Sequence, residues 1–218
     1  MGKIMEAIFC VCYIIAVVIL GCRIVTKGKK NKEILWFGVM SLVLVFGDSF
    51  HLIPRVLVAI NPAGDYHVSL GIGKLITSIT MTLFYLIMYY VYSMRYQYDN
   101  KKLKIAMIVL SVIRIALCLF PQNDWTGDAP VIWGMYRNIP FVIMGIIMIV
   151  LYFKQRSDVH FKWMWLAITL SYLFYIPVVL WADVSPMIGM LMLPKTCMYI
   201  WAVVMGYKLI GAEKDEVL

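Results

Sequence analysis

Residues 34–56 read ILWFGVMSLVLVFGDSFHLIPRV, an apolar run whose charged members, Asp48 and Arg55, fall in its second half together with His51. A membrane-crossing helix needs about 20 predominantly apolar residues at ~1.5 Å rise each. The run meets that length. Ionisable groups at membrane depth are costly, so their presence marks a candidate functional site.

Outward from this stretch the same pattern recurs. Apolar runs cover about 5–25, 69–93, 103–121, 131–153, 161–182 and 186–208, and with 34–56 they take up most of the 218 residues. The chain is 63% hydrophobic and only 15% charged, with mean hydropathy +0.85, whereas soluble domains carry roughly 25% charged residues. The expectation is an all-α protein: one seven-helix transmembrane domain spanning 1–218, with no room for a soluble domain.

Charge placement predicts orientation. The segments Arg23–Lys32 with the adjoining Glu33, Arg95–Lys104, Lys154–Lys162 and the tail from Lys208 hold 14 basic and 6 acidic residues, and the remainder holds 6 of each. Short basic loops stay cytoplasmic, so the N-terminus is expected outside and the C-terminus inside. Basic residues in juxtamembrane loops meet anionic lipid head groups, and nucleic acid is not an expected partner. The first run, ending Ile19-Leu20-Gly21-Cys22, has the outline of a lipoprotein signal. Cleavage there would export Lys27, Lys29, Lys30 and Lys32 against the charge bias, so a retained helix is expected. The five cysteines show neither a disulfide framework nor CxxC metal spacing.

The polar groups inside the spans are dominated by cations: Lys74, Arg114, Arg137 and Lys195, with Arg55 at an edge and Asp48 the one acid at comparable depth. Arg55 and Arg137 lie near span ends and are expected to snorkel to water. Asp48, Arg114 and Lys195 lie too deep for that. One reading pairs Asp48 with Lys195 or Arg114 as a structural ion pair. The other starts from the surplus: one carboxylate cannot neutralise several cations, and an external anion would. Lys74, Ser78 and Tyr85 recur at helical spacing, flanked by Thr77, Met81 and Thr82, and form a polar wall or helix-linking hydroxyls. Tyr175 lies beside Pro177 in the sixth span, and Pro194 is expected to break the seventh just before Lys195.

Asp48 and His51 are also candidates for acid–base catalysis on lipids. Zinc is not expected, since only His51, His67 and Asp48 are available on that side. Residues 175–181, YIPVVLW, look like the sixth helix of microbial opsins, which would make Lys195 a Schiff-base lysine. Yet Lys195 follows Trp181 by only 14 positions and the third span has no acid, so neither retinal nor any other cofactor is predicted. A faint duplication relates Gly73-Lys74 to Pro194-Lys195 and Trp36 to Trp165, giving a 3+1+3 parallel repeat of the kind seen in SWEET transporters.

The stretches GDSFHLIPR (47–55), GKLITSITMTLFY (73–85), YRNIPF (136–141), MWLAITLS (164–171) and MLMLPKTC (190–197) resemble a family of seven-span membrane proteins of anaerobic Gram-positive bacteria. The resemblance implies a bacterial cell membrane and carries no activity with it. The expectation is therefore an outward-facing, positively charged pocket for a small anionic solute or lipid head group, serving transport or sensing. Its ligand-binding residues are Asp48, Lys74, Ser78, Thr82, Tyr85, Arg114, Arg137, Tyr175 and Lys195. An intramembrane lipid-modifying enzyme is the alternative, and no oligomeric state is legible.

Overall fold

The computed structural model describes residues 2–127, 129–181 and 185–215. It is all-helical: α1 (Gly2–Lys27), α2 (Lys32–Ile60), α3 (His67–Arg95), α4 (Lys101–Leu119), α5 (Val131–Lys154), α6 (Met164–Trp181) and α7 (Met192–Asp215), with no strand among the described residues. Each expected span falls on a helix. Ala182, where the sixth was expected to end, lies outside the described residues.

Six of these segments are long and apolar enough to cross a membrane, which makes the chain a multi-pass membrane protein. The seventh, α4, carries Lys101, Lys102, Lys104 and Arg114 within 19 residues. Its exposed face is nonetheless apolar, with Ile105, Val109 and Val112 outward. The same holds for Ile8 and Ile15 of α1 and Ile139 and Ile146 of α5. Helices suit this environment because every backbone polar group is satisfied within the segment.

Side-chain caps start two of the helices. Asn31 accepts from the Glu33 amide at 2.9 Å to open α2, and Asn100 accepts from the Leu103 amide at 3.0 Å to open α4. Each helix packs on its neighbours in sequence, and α7 returns to α1 to close the ring. The tightest seam joins α2 to α3. A Cβ at Gly47 would collide with Thr80, and one at Gly73 with the Phe50 carbonyl, so only glycine permits this approach. Thr77 Oγ1 crosses the seam and donates to the Gly47 carbonyl at 2.8 Å.

Pro194 does not break α7. It sits in the first turn, where an amide hydrogen has no acceptor within the helix and proline is tolerated. The irregularity comes earlier, in the 3₁₀ segment Pro186–Leu191.

The core fills the half of the bundle next to the basic loops, with Phe37, Met40, Met88, Tyr89, Tyr152 and Phe161 all buried. At that end Arg95 forms a three-way clasp. It donates from Nη1 to Glu33 at 2.7 Å and from Nε and Nη2 to both oxygens of Asp158, and its guanidinium lies 4.9 Å from the Phe161 ring centre. Asp158 also accepts from Tyr96 Oη at 2.6 Å and from the His160 amide at 2.8 Å. Burial alone would raise the Asp158 carboxyl, but these hydrogen bonds outweigh it and hold it at about 2. The clasp joins the start of α2, the end of α3 and the α5–α6 loop.

Candidate functional site

The opposite half of the bundle is hollow. A cavity of about 730 Å³ opens there, and every helix contributes to its wall, as do Trp125, Gly127 and Ala129 between α4 and α5. Among the described residues five cations line it, namely Arg55, Lys74, Arg114, Arg137 and Lys195, against a single carboxylate, Glu6. His51 and His67 line it as well.

Glu6 is already engaged. It forms an ion pair with Arg55 across α1 and α2. Arg137 is held as well: Nη1 donates to Asn123 Oδ1 at 2.7 Å and the guanidinium lies 4.2 Å from the Trp125 ring centre. Both arginines, expected to snorkel, thus have protein partners as well, because the short segment before α5 and the start of α1 place an amide, an indole and a carboxylate within reach.

The deeper cations rest on an aromatic floor. Arg114 is 2% exposed, with its guanidinium carbon 3.4 Å from the Phe141 ring centre. Its Nε and Nη1 are buried and have no hydrogen-bond partner in the protein. Lys195, 7% exposed, lies 4.5 Å from the Tyr175 ring centre and 5.3 Å from that of Tyr199. Cation–π contact offsets some of the cost of burying a charge but does not neutralise it. Among the described residues no ion pair reaches either group.

Asp48 departs from expectation. Its carboxylate accepts from Tyr13 Oη of α1 at 2.6 Å, and it lies outside the cavity lining. Among the described residues no contact within 4.0 Å joins it to Lys195 or Arg114, the two expected ion pairs. Tyr13 reaches across the α1–α2 contact to Asp48, while Lys195 acts on the carboxylate only through the longer-range field. The expected catalytic pair, Asp48 and His51, shares no direct hydrogen bond among the described residues. His51 lines the cavity, but its Nδ1 has no partner, and the carboxylate one turn back faces α1 instead.

The other expected site residues divide. Lys74 reaches the cavity exposed, and Ser78 and Tyr175 line it, but both hydroxyls are committed. Ser78 Oγ donates to the Lys74 carbonyl at 2.8 Å, and Tyr175 Oη donates to Asn138 Oδ1 at 2.8 Å. Thr82 is fully buried, bonded to the Ser78 carbonyl at 2.8 Å, and Tyr85 lies beneath the floor, its ring centre 5.1 Å from that of Phe141. Neither reaches the cavity. Backward bonding to the residue four positions earlier is the common fate of membrane hydroxyls, and it removes them as ligand donors.

Sequence reasoning passed over Glu6, Tyr13, Asn123, Trp125, Asn138, Phe141 and Tyr199. One signal was available for the first two. Glu6, Cys10, Tyr13 and Val17 recur at helical spacing, and Cys10, Tyr13 and Val17 are buried against the bundle. Among the described residues no group of three or more His, Cys, Asp or Glu could hold a metal ion. No family model, curated protein or solved structure matches the chain.

Proposed function

We propose that this multi-pass protein binds a small anionic solute or a lipid head group in the cavity, for transport or sensing across the membrane it occupies. The carrying observation is the charge imbalance among the described residues: five lining cations against one carboxylate, with that carboxylate paired to Arg55. Asp48 reduces the surplus by one from behind the wall. Buried cations in excess of their counter-charges are costly, and an anion entering the cavity reduces that cost. Arg114 and Lys195 are the inner contacts, and Lys74 and Arg137 are the outer ones.

In this reading all seven helices cross the membrane, α4 included, in a bacterial cell membrane. The basic loops face the cytoplasm, following the charge bias, so the cavity opens to the outside. Lys74 and Lys195 would then be equivalent positions of a parallel repeat, α1–α3 with α5–α7, and their meeting in one cavity supports it. The test is thermal stabilisation of purified protein by candidate anions. Stabilisation that persists in both Lys195→Ala and Arg114→Ala contradicts the site.

A further inference from the structure

The lining cations occupy two levels. Arg114 and Lys195 lie on adjoining rings of the floor, Phe141 and Tyr175, whose centres are 5.7 Å apart. Arg137 lies on α5 one turn before Phe141, and its side chain turns back toward Gly134 and the segment at Asn123 and Trp125, nearer the mouth. The α5 positions from Gly134 to Phe141 separate the two levels by roughly 5–10 Å, one to two helical turns. Lys74 is exposed on the α3 part of the wall, and among the described residues no ion pair reaches it. Among the described residues the rest of the wall adds no second acid.

A single carboxylate of charge −1 would leave most of this surplus uncompensated. A phosphate group carries about −1.5 to −2 at neutral pH, and one such group at the floor still leaves the mouth cations unmatched. Arginine and lysine together suit phosphate, the former by its planar fork and the latter as a point charge. The hydroxyls that would select a neutral polyol are spent on their own helix or on Asn138.

We propose that the ligand carries two phosphate-type groups, the inner one between Arg114 and Lys195 and the outer one between Lys74 and Arg137. This rests on the anion-binding reading of the cavity and specifies its substrate class as a diphosphate or a bis-phosphorylated compound. The same head chemistry occurs free in solution and on lipids. The volume leaves room for an organic part, and Val178, Val179 and Met192 give that part an apolar wall.

The experiment titrates detergent-purified protein with sodium acetate, inorganic phosphate, pyrophosphate and farnesyl diphosphate, reading affinity by calorimetry and by thermal shift. Pyrophosphate is expected to bind at least tenfold more tightly than phosphate, and acetate more weakly than either. Lys74→Gln, at an exposed position, should weaken pyrophosphate about tenfold and leave phosphate unchanged, as loss of one charge-assisted contact predicts. Lys195→Gln should weaken both, and Arg114→Met serves if that variant does not fold. Farnesyl diphosphate binding tighter than pyrophosphate identifies a lipid source, and equal or weaker binding identifies a soluble one. Equal affinities for phosphate and pyrophosphate, both indifferent to Lys74→Gln, overturn the two-group proposal while leaving an anion pocket. If none of the four probes binds, the anion reading falls with it.

Discussion

Arg114→Met should make the ligand-free protein more stable. Arg114 is buried with two donors unpartnered and a face of Phe141 beneath it. Each unmade buried hydrogen bond costs roughly 1–3 kcal/mol, and a desolvated cation–π contact returns about 2 kcal/mol. The difference leaves Arg114 costing about 2 kcal/mol, before any charge from Lys195 is counted. Methionine fills a similar length without a polar group, and comparable replacements of buried charges are neutral or stabilising by about 1–4 kcal/mol. For a chain of this length ~1 kcal/mol moves the melting temperature by about 2–4 °C, so a rise of about 4–8 °C is expected in detergent by differential scanning fluorimetry. An anion at 100 times its dissociation constant stabilises the wild type by about 2.7 kcal/mol, and the variant should show none of that gain. A melting temperature several degrees below wild type would refute the reasoning, because it would mean that Arg114 supports the fold.

Acid should release the clasp at the basic end. Asp158 titrates at about 2 when folded against ~3.9 unfolded, so its stabilisation is complete above pH ~4 and is lost as pH falls toward 2. The loss is roughly 2 kcal/mol in thermal unfolding across that window, and Asp158→Asn should flatten the dependence. Glu6→Gln frees Arg55 beside the cavity, so anion affinity should rise several-fold by titration calorimetry, whereas a purely structural ion pair predicts no change in affinity. Gly73→Ala sets a methyl group against the Phe50 carbonyl and should destabilise by about 1–3 kcal/mol; an unchanged melting temperature would show that the α2–α3 seam is looser than described.

The spans were legible because apolar length is a property of consecutive residues, and 34–56 alone sufficed to place α2. The cavity's cations were legible for a related reason: lysine and arginine inside an apolar run stand out whatever they touch. Their partners did not stand out. Tyr13, the residue that bonds Asp48, shares a helical stripe with Cys10 and Val17 that marks it as buried, but its role comes from its contact across α1 and α2. Asn123 and Trp125 were part of a turn until α5 brought Arg137 to them. The hydroxyls misled in the opposite direction. Thr82 and Ser78 share a polar stripe with Lys74, yet a donor four residues from a carbonyl on its own helix bonds there first. Pro194 misled through its position, since a proline three residues into a helix opens it as readily as one in the interior breaks it.

The central claim is that surplus positive charge in the cavity holds an anion. The measurement that meets it most directly is an experimental structure of the protein with tungstate, an electron-dense stand-in for phosphate. The account predicts tungstate between Arg114 and Lys195, above Phe141 and Tyr175, and its disappearance in Lys195→Ala. Tungstate confined to the lysines of the basic loops, with the cavity unoccupied, would contradict it.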